Sequence, residues 1–361
     1  MKKIIALTLC LVFSLTLVAC GGGGGAIVID PLEEEMAGTS DTFGTVDITA
    51  TKDAFNFLTG KNDMASDMLG KRPYAVSVNN IIDCWPQYGL SQADVIYEIE
   101  TEGGITRMMA LFMDTREVPR IGSVRSLRDQ FLEAVFPLNP IIVHIGASIY
   151  ADKAVNDNNY RTIDGGNLRK VIYFDRERAA TKAYEHCSFT SGKLIDEILP
   201  AAKIKRDLTT NVKSAFNFVP EGETVIPTTG DASNVKYSFS GSGDGDFRYD
   251  EATKKYLKWQ YGKKQIDAGN ADTQLAFDNV FLLFAPISPI EGTKLVKVDY
   301  TKGGDAYYFS QGKYEKCTWS KGDYSENFVF KTASGEELTV NPGITHVGIV
   351  RNDRTDKLVI S

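Results

Sequence analysis

Histidine is the scarcest polar residue here, with three in 361 residues: His144, His186 and His346. Cysteine is nearly as rare, at five. No C-x-x-C or H-E-x-x-H spacing occurs, so a zinc site has no sequence support. There is no P-loop, and the scattered glycines match no dinucleotide fingerprint. Ser148 lacks the G-x-S-x-G setting of a nucleophile elbow, which argues against a serine hydrolase. Basic residues are outnumbered 40 to 47, giving a net charge of −7. Nucleic acid is thereby excluded as a bulk electrostatic partner. General adhesion to anionic headgroups is excluded on the same ground. After the first 19 residues no apolar run approaches the roughly 20 residues that a spanning helix needs. Phe277 to Ile287 is apolar but short, and Asp278 and Asn279 interrupt it.

The first residues carry the clearest signal. Met1-Lys2-Lys3 is basic, Ile4 to Val18 is almost wholly apolar, and Leu17-Val18-Ala19-Cys20 closes the run with small residues and a thiol. That order reads as a secretory signal peptide over 1–19, and Cys20 converts it to the lipobox pattern of bacterial lipoproteins. A diacylglyceryl group on the Cys20 sulfur would tether the chain, since each buried CH₂ contributes roughly 0.8 kcal/mol and two chains hold stably. The expected location is therefore the extracytoplasmic face of the cell membrane, lipid-anchored, with the membrane as the first partner. Loss of Lys2 and Lys3 with the signal leaves a net charge of −9. Gly21 to Gly25 form a flexible leash. The acidic stretch that follows, with weak periodicity, reads as a spacer, so that 20–69 forms anchor, leash and spacer. Cys84, Cys187 and Cys317 lie far apart and are odd in number. They are expected to be reduced, mostly buried thiols.

Beyond the spacer the pattern is that of an α+β or α/β chain in two parts. Residues 70–207 read as an α/β sheet domain. Its apolar runs at Tyr74–Val78, Val95–Ile99, Met108–Met113 and Pro140–Ile145 suit strands. Leu127, Phe131, Leu132 and Val135 share a helical face behind Ser126 and Asp129, a spacing that resembles a capping box. A second helix is expected over Ser191 to Ala202. A linker spans 208–233. Residues 234–361 alternate in short runs between glycine-rich and charged turns, the pattern of a β-rich domain. Trp259, Tyr256, Tyr261, Trp319 and Tyr324 suit a sugar-stacking surface, but read more readily as the core of that domain.

Candidate chemistry concentrates between Arg107 and Asp129. Five arginines lie there, and Arg125 and Arg128 approach the start of the expected helix. Planar guanidinium forks and free helix N–H groups both favour phosphate or carboxylate. Arg107, Arg125, Arg128 and Ser126 are thus candidate anion ligands, with pairing to nearby carboxylates as the plainer reading. Glu98, Glu100 and Glu102 alternate on one side of an extended chain. Glu100, Glu102, Asp129 and His144 are the candidate catalytic or cation-holding set, with a divalent cation as the conceivable cofactor. A solvated face and a structural histidine are the simpler readings of these residues.

Several segments together resemble the YerB-like family, a two-domain lipoprotein family of unknown function in Gram-positive-type bacteria. They are Arg72-Pro73-Tyr74-Ala75-Val76, Pro86 to Asp94, Glu102-Gly103-Gly104-Ile105-Thr106-Arg107, Ile121 to Asp129, and His144-Ile145-Gly146-Ala147-Ser148. Phe247-Arg248-Tyr249-Asp250, Asp278-Asn279-Val280 and Asn341-Pro342-Gly343 extend the likeness to the C-terminal part. His346 departs from it, standing where an aromatic residue is expected. The resemblance implies a lipid anchor and two domains, and brings no activity. A fainter likeness, over Thr106 to Asp129 alone, is to enzymes that transfer anionic polymers from polyprenyl-pyrophosphate carriers. The two readings are a non-catalytic module binding an anionic envelope ligand or a wall-synthesis protein, and an enzyme acting on a polyprenyl-phosphate or pyrophosphate-linked cell-wall precursor. The anchor is tested by Cys20→Ser. The native product should carry a diacylglyceryl mass and sediment with membranes, and the variant should do neither. An unacylated native Cys20 would overturn the assignment.

Overall fold

The computed structural model describes residues 51–241 and 243–361. Cys20, the signal segment and the glycine leash lie outside the described residues. Among the described residues no helix is long and apolar enough to cross a membrane.

The chain order Val95–Glu100, a tight turn, then Thr106–Phe112 gives an antiparallel pair in which every residue is buried. Strands covered on both faces need no polar alternation, which is why these runs are almost continuously apolar. They form the middle of an eleven-stranded sheet. Tyr74–Asn79, Ile141–His144 and Ile163–Asp164 continue it on one side. On the other side lies Thr345–Arg351, parallel to Val95–Glu100 with Thr345 opposite Val95 and Ile349 opposite Ile99. Asn279–Ala285, Gly304–Ser310 and Lys313–Lys321 follow, with Gly230–Asp231 at the edge and Phe328–Thr332 also pairing with Lys313–Lys321.

Sequence patterning suggested two domains, and the two halves share this sheet. They share both its cores as well. One face packs Ala54, Leu58, Phe131, Leu132 and Ala151 with Phe216, Phe281, Tyr308 and Trp319. Phe281 there stacks on Phe216, Tyr308 and Phe330, with centroids 5.3, 4.8 and 4.5 Å away. The opposite face packs Val76, Ile96, Met108 and Ile195 with Tyr237, Phe247, Tyr256 and Phe277. The last four come from a smaller six-stranded sheet built on Asn234–Ser238, Asp244–Asp250 and Lys255–Gln260. A β-rich C-terminal part is thus found, within an α+β whole.

Element boundaries also differ from expectation. Part of the expected spacer is folded: Lys52–Asn56 and Lys61–Ala65 form a hairpin whose Ala54, Leu58 and Met64 enter the core. Within the expected linker, Ala215 and Phe216 also join that core. The helix after Ser126 spans Asp129–Val135, with Arg128 at its N-cap and no side-chain cap. Ser126 therefore caps nothing. Instead its carbonyl accepts from Arg107 Nη1 at 2.8 Å. A helix not expected from sequence spans Ile149–Asp157, and Ser148 Oγ caps it by accepting from Ala151 N at 3.1 Å. Ser148 is thus the kind of residue that starts a helix. The helix Gly192–Ala202 forms where expected, behind Ser191. Cys84, Cys187 and Cys317 are free and buried.

Candidate functional site

The strand Val95–Glu100 ends in the turn Glu102–Gly104, where Gly103 and Gly104 take positive φ of 72° and 74°. Glycine adopts this left-handed backbone without steric cost, so the pair reverses the chain tightly and returns it as Thr106–Phe112. The reversal separates the three glutamates that an extended chain would have aligned. Glu98 and Glu100 stay on the strand, facing the smaller sheet's side. Glu102 sits in the turn and meets arginines.

Glu102 accepts from Arg107 Nη2 at 2.6 Å, and from Arg128 through Nε at 2.9 Å and Nη2 at 2.6 Å. Burial would raise its carboxyl, but the Arg128 hydrogen bonds and both guanidinium charges hold it down at about 2. Arg107 is 1% exposed, and its Nε is buried without a partner. Its burial and the charges of Arg128 and Arg125 push the guanidinium down, while Glu102 opposes them. Arg125 is three-quarters buried, its Nη2 lies 3.4 Å from the exposed Glu185, and its Nε has no partner. Arg107 and Arg128 therefore come together on Glu102, and Arg125 lies close enough for its charge to act on Arg107, with Glu185 as its own carboxylate. Ser126 contributes its carbonyl, not its hydroxyl.

The candidate catalytic or cation-holding set does not assemble. Glu100 lies 3.7 Å from Arg351, and burial raises its carboxyl despite that neighbour. Asp129 opens the helix Asp129–Val135, and burial raises it too. His144 bonds Gly146 O at 2.8 Å and Thr162 Oγ1 at 2.9 Å, and burial lowers its imidazole. Among the described residues, no group of three or more His, Cys, Asp or Glu side chains could hold a metal ion.

The most demanding electrostatics lie elsewhere, around Glu98, which the sequence reading grouped with the other two glutamates. Glu98 is wholly buried, yet five groups bond its carboxylate. Asn80 Nδ2, Thr106 Oγ1 and Gln260 Nε2 reach Oε1 at 2.8, 2.7 and 2.9 Å. Lys258 Nζ and His346 Nε2 reach Oε2 at 2.9 and 3.0 Å. Lys258 and His346 are themselves 0% exposed. Burial alone would raise Glu98, but the Lys258 ammonium and the His346 hydrogen bond hold it well below the usual carboxylate range. Burial, and secondarily Lys258, depress His346 to about 4. An ionised carboxylate only accepts hydrogen bonds, so Nε2 of the neutral ring carries the proton. Nδ1 then presents a lone pair, buried without a partner. Phe247 and Phe277 enclose the ring edge-on at 5.0 and 5.2 Å. One signal was visible in sequence: Tyr256, Lys258 and Gln260 alternate, so an inward Tyr256 carries Lys258 inward with it. Sealed from solvent, this network can fix structure but cannot meet a ligand.

Two descriptions cover most of the chain: "Protein of unknown function (DUF3048) N-terminal domain" over residues 58–205, and the corresponding C-terminal domain over 233–347. The chain is 27% identical over 290 residues to a Bacillus subtilis (strain 168) protein named "Putative lipoprotein YerB", spanning 78% of this chain and 81% of that relative. Its fold is similar to the crystal structure of the YerB protein from Bacillus subtilis, with a TM-score of 0.72 at 26% identity. That match covers 85% of this chain and 99% of the other.

The buried network makes a pH prediction. His346 has a folded pKa near 4, below the ordinary value of 6.5. Between those values the unfolded chain binds more protons than the folded one, so stability falls as pH drops from about 6.5 toward 4. The shift corresponds to on the order of 3 kcal/mol. His144 and His186 are also lowered and act in the same sense. Comparison with His346→Gln isolates the effect: urea unfolding from pH 7 to 4 should lose less stability in the variant. Equal losses would contradict the assignment.

Proposed function

The chain belongs to the YerB-like family of two-domain proteins of unknown function, and from that premise we propose that it is an extracytoplasmic lipoprotein whose arginine cluster binds an anionic ligand of the cell envelope. The name of the Bacillus subtilis relative and the Cys20 lipobox both support the lipid anchor. The binding reading rests on one observation: Arg107 and Arg128 share Glu102, Arg125 adds a third positive charge close to Arg107, and among the described residues Arg107 Nε and Arg125 Nε lack partners.

The layers of the cluster have different tasks. Arg107 lies deepest, and supplies charge from below without reaching solvent. Arg128 is held by Glu102 and by Leu127 O at 2.9 Å. Arg125 is the most exposed of the three, and its Nη2 makes a long contact to the exposed carboxylate of Glu185. A phosphate or carboxylate arriving here would displace Glu185 from Arg125, where a charge-assisted hydrogen bond contributes roughly 1.5–3 kcal/mol. An enzyme acting on a polyprenyl-phosphate or pyrophosphate-linked precursor would need a cation beside those arginines. Glu100 faces Arg351, Glu102 is held by two arginines and Asp129 opens a helix, which favours a binding module, for a ligand or for a wall-synthesis protein that carries the anionic group.

Calorimetric titration of the full chain with inorganic pyrophosphate tests this. Arg125→Gln should weaken binding at least about tenfold, the effect of losing one such bond, and Arg128→Gln should weaken it as well. Equal affinity in Arg125→Gln, or no binding by the native chain at millimolar pyrophosphate, would overturn the proposal.

A further inference from the structure

The smaller sheet has an outer face that the core does not use. Along Asp244–Asp250, the inward residues Gly245, Phe247 and Tyr249 alternate with Asp244, Asp246 and Arg248. Cross-strand register places Lys236, Asp246, Trp259 and Lys264 in one row across four strands. Trp259 therefore stands outward, not in the core that its apolar bulk suggested. The exposed turn Asn352–Lys357 supplies Arg354 and Lys357 to the same cleft, whose volume is about 610 Å³. This lies within the range of small-ligand sites.

The lining is cationic in an acidic protein. Lys236, Arg248, Arg354 and Lys357 face Asp244 and Asp246. Arg248 bonds Asp246 Oδ2 through Nε and Nη2 at 2.8 and 2.7 Å, and its guanidinium stacks 4.2 Å above the Trp259 ring. Lys264 lies 6.0 Å from the same ring. Lys357 is beside Asp356 at 2.7 Å. Among the described residues Lys236 pairs with no carboxylate, and Arg354 makes a long bond to Ser238 Oγ at 3.5 Å. Gln260, whose inward amide bonds Glu98 at 2.9 Å, also borders the cleft.

We infer that this cleft binds an acidic sugar, one whose ring carries a carboxylate or a phosphate. An indole–guanidinium stack gives a flat surface for the C–H face of a sugar ring. Ser238 and Asp244 can take its hydroxyls, and Lys236 and Arg354 its charge. This site is separate from the arginine cluster and does not depend on the function proposed there.

The experiment is a titration of the full chain with four probes: a glucuronate-containing disaccharide, glucose 6-phosphate, neutral cellobiose and a di-aspartate peptide. Intrinsic fluorescence and calorimetry both read it. The carboxylated or the phosphorylated sugar, or both, should bind at least tenfold tighter than cellobiose and the peptide, and which one binds identifies the charged group. Trp259→Phe and Lys236→Gln should each weaken that binding at least fivefold at an unchanged melting temperature, whereas Arg125→Gln should leave it intact. Binding of neither acidic sugar at millimolar concentration, equal binding of cellobiose or the peptide, or undiminished binding in Trp259→Phe would overturn the inference.

Discussion

Glu98 is a fully buried carboxylate, and its ligands come from both halves of the chain. Asn80 and Thr106 belong to the first half, and Lys258, Gln260 and His346 to the second. Removing an ion from water costs several kcal/mol even after relaxation, and the cost is offset only when geometry and hydrogen bonding are nearly complete. Here they are: both carboxylate oxygens are bonded, and Lys258 supplies the opposite charge. Such a network is weak evidence for extra stability. What it supplies is a penalty on other arrangements, because any other registry of the halves strands a charge in the interior.

The junction also explains why the halves share a sheet. Thr345–Arg351 lies parallel to Val95–Glu100 with His346 opposite Ile96 and Gly348 opposite Glu98. That register brings the His346 ring within 3.0 Å of the carboxylate. A shift of one residue would turn His346 to the other face. Because the strand bearing Glu98 continues into the Glu102–Gly104 turn, the same register fixes where Glu102 meets Arg107 and Arg128. Gln260 links the network to the cleft on the outer side of the smaller sheet. Neither candidate binding surface touches Glu98, yet both are positioned from it.

Much of this was legible in the residues. The buried strands were, because a run such as Tyr74-Ala75-Val76-Ser77-Val78 is apolar on both faces. The arginine cluster was also legible, since its members lie within 22 positions of one another. The Glu98 network was not, because its members are spread over 266 positions from Asn80 to His346, and no local pattern encodes a contact of that span. The joining of the halves escaped for the same reason. Ser126 was misjudged through cap chemistry, and the cap made by Ser148 was not foreseen: the same small hydroxyl residue suits a cap, a turn or a site, and only backbone geometry decides. Trp259 was assigned inward on hydrophobicity, although alternation with Lys258 places one of the two residues outward.

The central claim is that Glu98 and Lys258 make one folding unit of two halves. Native-state hydrogen exchange on Lys258→Met tests it, read at the amides of Thr106–Phe112 in the first half and Asn279–Ala285 in the second. Leaving Glu98 buried without its cation should lower stability by about 3–5 kcal/mol. The account predicts that protection falls equally in both strands. Loss confined to Asn279–Ala285, with Thr106–Phe112 unchanged, would contradict it.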